Sequence, residues 1–182
     1  MRFDLNVLRH QRIGSYCRRK GPSLFFLLCS ATLFAAEHAV VVVPVANMYS
    51  SAGEDSDVVS QAVLGSNVEI LEETSSWAKV RTNDQYTGWM RLQDARPFPS
   101  HRSGYATSGQ LAQVSSVTAN LYRETDVTLH RPLLTISFET RLEIVGQGHG
   151  DGDGWLQVRL PDQRIAWIQA GDVDLAPRKL SI

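Results

Sequence analysis

The chain carries one ordered set of short segments twice. Ala46-Asn47-Met48-Tyr49, Val68-Glu69-Ile70-Leu71, Trp77-Ala78-Lys79-Val80-Arg81 and Gly88-Trp89-Met90 form the first set. Ala119-Asn120-Leu121-Tyr122, Leu142-Glu143-Ile144-Val145, Trp155-Leu156-Gln157-Val158-Arg159 and Ala166-Trp167-Ile168 form the second. Asn47 and Asn120 lie 73 residues apart, Glu69 and Glu143 lie 74 apart, and both Trp pairs lie 78 apart. The offset grows where Gly-rich residues enter between Val145 and Trp155. A length change confined to one turn, with the flanking segments kept in order, marks two related domains and not a short-period solenoid.

Each unit reads as short strands. Trp77 to Arg81 alternates apolar and polar residues, the period-2 signature of a half-buried strand, and Thr82-Asn83-Asp84 then turns the chain into Tyr86 to Met90. The second unit repeats this with Trp155 to Leu160, a Pro161-Asp162-Gln163 turn, and Ile165 to Gln169. Outside the N-terminal segment no window of helical length shows a 3.6-residue apolar period. Short, evenly spaced strands in units of this size predict an all-β chain of two small β-barrels in tandem after an N-terminal signal segment. The expected divisions are a signal at 1–36, a first barrel at 40–95, a linker at 96–112 rich in Pro, Ser, Gly and His, and a second barrel at 113–176.

Residues 1–36 hold six of the 18 Lys/Arg and one of the 19 Asp/Glu, so the body is mildly acidic. It has no basic cluster of the kind that phosphate neutralisation needs, which argues against nucleic acid as a partner. Arg18-Arg19-Lys20 followed by the apolar run Leu24 to Ala36 fits an export signal and is short for a membrane span. The expectation is export to the periplasm or cell envelope, with an uncleaved N-terminal anchor as the alternative. Both cysteines, Cys17 and Cys29, fall in this segment. The body therefore has no disulfide, thiolate metal site or cysteine nucleophile.

The Ala-Asn-x-Tyr segment, Gly65 with Val68-Glu69-Ile70-Leu71, a Trp opening the next strand, a short turn and the closing Gly88-Trp89 resemble the bacterial SH3-like domain. The first copy follows that pattern closely. The second is looser, with Ala166 in place of the usual Gly. Two such domains behind a signal resemble the front part of exported NlpC-type cell-wall cysteine peptidases. The resemblance implies SH3-like barrels and peptidoglycan stem peptides as the target. In that family the first barrel borders the active site and meets the free amino end of the peptide. The catalytic Cys and His belong to a domain with no counterpart in these residues, so the resemblance implies recognition without catalysis.

On that basis the candidate ligand-binding residues are Tyr86, Glu54, Asp55, Asp57 and Trp89. Tyr86 offers a stacking face and a hydroxyl, and Arg164 takes its place in the second copy. Glu54, Asp55 and Asp57 lie in the loop after Tyr49, where a carboxylate can pair with a peptide ammonium; a solvated acidic loop is the plainer alternative. Trp77, Trp155 and Trp167 are expected in the barrel cores. Asp151-Gly152-Asp153-Gly154 resembles the start of a calcium loop, but Trp155 stands where the third ligand should be, so a glycine-rich hairpin is expected. The five His show no metal-ligand spacing, and no cofactor or metal is expected. The expected function is an exported, non-catalytic pair of binding modules for peptidoglycan stem peptide or another envelope protein, including a separate peptidase. The alternative is the N-terminal recognition part of an NlpC-type endopeptidase.

Overall fold

The computed structural model describes residues 38–98, 104–149 and 153–176. The expected N-terminal signal segment with Cys17 and Cys29, His10, His101, Asp151, Gly152 and the tail from Pro177 lie outside the described residues. Among the described residues no helix is long and apolar enough to cross a membrane.

The first unit comprises β1 (His38–Val41), β2 (Val45–Tyr49), β3 (Val58–Val63), β4 (Asn67–Glu73), β5 (Trp77–Thr82), β6 (Thr87–Arg91) and β7 (Ala95–Pro97). The second comprises β8 (Leu111–Val114), β9 (Thr118–Tyr122), β10 (Leu134–Ser137), β11 (Arg141–Gln147), β12 (Trp155–Arg159), β13 (Ile165–Gln169) and β14 (Val173–Ala176). The strands run β3-β2-β6-β5-β4-β1-β7 in one sheet and β10-β9-β13-β12-β11-β8-β14 in the other. This is one topology built twice. One irregularity also repeats: a bulge between Ile70 and Glu72 in β4 returns between Ile144 and Gly146 in β11. A bulge bends its strand and strengthens the local twist, which lets a short sheet curl round its own core.

Alternation decides which side chains enter that core. In β5, Ala78 and Val80 are buried while Trp77, Lys79 and Arg81 are only half-buried; in β6, Gly88 and Met90 are buried and Trp89 and Arg91 are not. The first core is made of small and medium side chains, among them Ala39, Val41, Ala46, Met48, Ala62, Val80 and Met90. The second substitutes larger ones, including Leu121, Ile136, Leu142, Leu156 and Ile168.

The expected tryptophan placement needs correcting. Trp77 and Trp167 stand outside the buried cores, on the outer face of their sheets, and only Trp155 is fully buried. The reason is steric and periodic. A barrel this narrow fills with Ala, Val, Leu and Met, and the period of 2 puts Trp77 on the face of Lys79 and Arg81, and Trp167 on that of Ile165 and Gln169.

The two barrels are joined tightly. Leu64, in the turn after β3, is 1% exposed and belongs to the second barrel's core cluster. The described part of the expected linker acts as a clamp. Tyr105 is buried, and its hydroxyl donates to the Arg159 carbonyl at 2.5 Å. The Asn67 amide brackets the Tyr105 backbone, donating to its carbonyl at 2.9 Å and accepting from its N–H at 2.8 Å. The Ala106 N–H donates to the Glu143 carboxylate at 3.1 Å. Taking Tyr105 out of water pushes its hydroxyl pKa well above the ordinary phenol value, so it stays a hydrogen-bond donor at any ordinary pH.

Candidate functional site

The outer face of the first barrel gathers aromatic and charged side chains across three neighbouring strands. β2 contributes Tyr49, β5 contributes Trp77, and β6 contributes Trp89 and Arg91. The register places Trp77 opposite Arg91 and Tyr49 opposite Trp89. Tyr49 and Trp77 meet edge to face, with centroids 5.6 Å apart and planes at 89°. This is a favoured aromatic geometry, in which a ring's positive edge meets a negative face. The Arg91 guanidinium lies 5.5 Å from the Trp77 centroid, within cation–π range.

The loop after β2 folds over this group. Glu54 Oε1 accepts both from Arg91 Nε at 2.7 Å and from its terminal amine at 2.5 Å, charge-assisted contacts that fix the loop to β6. Paired with Glu54, Arg91 holds its proton more tightly than a free arginine. Two bonds from Ser56 Oγ, to the Ser51 and Gly53 carbonyls, brace the loop internally. Nearby Asp94 has its carboxyl raised above the ordinary range, chiefly by burial, with Arg91 opposing and Glu54 adding to the shift.

The five candidate residues are not brought together in one place. Glu54 is tied to Arg91 beside Trp77, with Trp89 on the neighbouring position of the same face. Asp55 and Asp57 are exposed along the loop. Tyr86 is 58% exposed, but it sits in the β5–β6 hairpin at the opposite end of β6 from Arg91, about 16 Å away at roughly 3.3 Å per residue. Its carbonyl closes the hairpin by accepting from the Thr82 N–H at 3.0 Å. The sequence reading missed Arg91, although the alternation Trp89-Met90-Arg91 signals that it shares a face with the tryptophans.

The second barrel keeps the scaffold and changes the surface. Tyr122 and Trp155 reproduce the edge-to-face pair at 5.4 Å and 86°. Gln169 occupies the place of Arg91, opposite Trp155. Arg164, where Tyr86 stands in the first copy, is held by Asp162 at 2.6 Å in its own turn. Among the described residues no group of three or more His, Cys, Asp or Glu could hold a metal ion.

Comparison with known proteins accounts for the repeated architecture. Residues 44–94 match the family model described as bacterial SH3 domain, and residues 114–175 match that of the YKFC SH3b2 domain. The chain therefore carries two bacterial SH3 domains in tandem. Its fold is similar to that of a NlpC/P60 family protein from Bacillus cereus ATCC 10987, with a TM-score of 0.59 and 20% identity over 76% of this chain. That match covers 56% of the Bacillus protein, so the chain spans little more than half its length. NlpC2 and NlpC1 from Trichomonas vaginalis align with TM-scores of 0.31 each, at 15% and 16% identity. They cover 76% and 84% of this chain, and 48% and 51% of their own. No curated protein sequence matches the chain. The matched family models are both SH3 domains, and no peptidase domain is among them.

Proposed function

We propose that the protein is an exported pair of binding modules that holds peptidoglycan stem peptide on the outer face of its first barrel. The observation that carries this reading is the Tyr49–Trp77–Arg91–Glu54 group with Trp89 beside it. An extended peptide laid across β6 meets aromatic faces from Trp89 and Trp77. Its ammonium is attracted by the exposed carboxylates of Asp55 and Asp57, a charge-assisted contact stronger than a neutral hydrogen bond. Glu54 is already neutralised by Arg91, so it shapes the loop and leaves the ammonium to its neighbours. The second barrel, lacking Arg91 and Tyr86, supports the first as a rigid partner.

A second reading is that the same face serves the recognition part of an NlpC-type cell-wall endopeptidase. The similarity to a NlpC/P60 family protein of nearly twice the matched length favours it. The reading frame downstream of Ile182 separates the two. A continuing frame with a Cys- and His-bearing domain replaces the stand-alone reading.

Retention of the purified 38–176 protein on isolated sacculi tests the binding itself. Retention that falls about tenfold on Trp89→Ala or on the double change Asp55→Asn, Asp57→Asn supports the site. Unchanged retention in both variants, or capture of an envelope protein with none on sacculi, overturns it.

A further inference from the structure

The contact between the barrels uses matching turns that are filled differently on its two sides. The β3–β4 turn and the β10–β11 turn share their hydrogen bonds. Gly65 N–H to the Val41 carbonyl corresponds to Glu139 N–H to the Val114 carbonyl, and Ser66 to Val63 corresponds to Thr140 to Ser137. In the first turn Leu64 is buried in the second barrel's core, a cluster to which Leu160 also belongs. In the second turn the matching residue is Phe138, and it is 52% exposed.

Phe138 lines a cavity of about 520 Å³ between the barrels, whose other wall carries Thr82, Asn83 and Asp84. Those three stand where the second barrel has Leu160, Pro161 and Asp162, as the matched bonds Thr82 to Tyr86 and Leu160 to Arg164 show. One side of the contact is thus apolar against apolar and closed. On the other an aromatic ring faces polar side chains across an open space.

The turn that presents Phe138 is also costly. Glu139 has φ 65°, where the first barrel uses Gly65. Among the described residues the hydroxyls of Ser137 and Thr140, on either side of the pair, are buried with no hydrogen-bond partner. Left-handed backbone at a non-glycine residue is strained and gathers at ligand sites.

We propose that this cavity binds a short oligosaccharide. A pyranose has one apolar C–H face and a rim of hydroxyls that both donate and accept. The C–H face packs on the Phe138 ring, while Asn83 and Arg141 donate to the rim and Asp84 and Glu139 accept from it. Arg141 donates Nε to Gln113 at 3.1 Å, which orients its terminal amines. Two carboxylates against one arginine disfavour an anion. The cavity has the β3 edge on one wall, through Gln61, Ala62 and Val63, so an extended peptide is the competing occupant, which the tripeptide arm of the test below separates from a sugar. Its volume lies in the usual range of about 300–1,000 Å³ for small-molecule sites. The site lies apart from the stem-peptide face and stands independently of that reading.

Titration of the 15N-labelled 38–176 protein with chitotetraose, up to about 10 mM so that a millimolar Kd saturates, tests the proposal by amide shifts. The expected result is perturbation at Asn83, Phe138, Glu139 and Arg141. Phe138→Ala should weaken binding about tenfold or more, Phe138→Trp should retain it, and Tyr86→Ala and Trp89→Ala should leave it unchanged. No perturbation in the cavity, shifts that survive Phe138→Ala, or shifts produced there only by a free Ala-γ-Glu-Lys tripeptide would each overturn it. Failure of the sacculus retention test leaves these outcomes unaffected, so the two readings fail separately.

Discussion

The Tyr–Trp pair that both barrels carry stands in two different settings. Geometry is almost the same: 5.6 Å and 89° for Tyr49–Trp77, 5.4 Å and 86° for Tyr122–Trp155. Surroundings are not. In the second barrel both rings are buried and Gln169 lies opposite the Trp, whereas in the first Trp77 is half open and carries the Arg91 guanidinium, itself locked to Glu54. Duplication preserved the pair as a scaffold, and the two copies then diverged in what they do with its outer surface. A buried pair contributes to stability. A half-open pair with a cation and a loop carboxylate is available to a ligand.

The sharpest way to break this comparison is to remove the tryptophans one at a time. Trp155→Ala empties a buried site and should cost about 3–5 kcal/mol in urea unfolding. Trp77→Ala removes a half-solvated ring and should cost about 1–2 kcal/mol, in line with the smaller apolar area it withdraws from water. Equal costs, or a larger cost at Trp77, would show that the first pair is as structural as the second.

The same contrast runs through the contact between the barrels. Leu64→Ala should cost about 2–5 kcal/mol, and the loss of amide-exchange protection should fall on the second barrel, whose core Leu64 completes. Loss confined to the first barrel would contradict that placement. Tyr105→Phe keeps the ring but leaves the Arg159 carbonyl without its donor, and should cost about 1–3 kcal/mol. Backbone space explains a further asymmetry between the copies. A Cβ on Gly88 would lie 2.9 Å from Met48 Cβ and 3.1 Å from a Val59 methyl, so the first barrel has no room for the methyl group that Ala166 carries in the second.

The barrels themselves were legible in the sequence because alternation and turn residues are local signals. Each strand named from its apolar pattern is present, and the second copy confirms the first. Trp77 and Trp167 were misplaced because their hydrophobicity suggested a core, while the alternations Trp77-Ala78-Lys79-Val80 and Ala166-Trp167-Ile168 already put them on the opposite face. Tyr105 was not legible. It is one aromatic in a run of Ser, Gly, His and Arg, and its partners Asn67 and Arg159 lie 38 and 54 residues away in the chain. Nor could spacing reveal that Tyr86 and Glu54 stand at opposite ends of β6, since their separation depends on how the loop after β2 folds back.

The smallest effect concerns Asp94, which ends the 3-10 turn Leu92–Asp94 next to the Arg91–Glu54 pair. Burial, which disfavours the charged form, is the main cause of its raised pKa; Glu54 adds to it and Arg91 only partly offsets it. A carboxyl whose folded pKa lies above its unfolded value binds its proton more tightly in the folded state. Its contribution to stability is therefore full below the unfolded value of about 3.9 and is lost as pH rises through the folded one. Asp94→Asn removes the charge that burial disfavours. The variant's Tm should exceed the wild-type value slightly at pH 7, and the gap should close as the pH is brought below about 4. The matching Asp172 has a different neighbour: its carboxylate accepts from Ser116 Oγ at 3.3 Å. Asp172→Asn weakens that acceptor, so its Tm at pH 7 should not rise. A gain at Asp172 equal to that at Asp94 would mean that the Arg91–Glu54 surroundings leave no mark on the first barrel's titration.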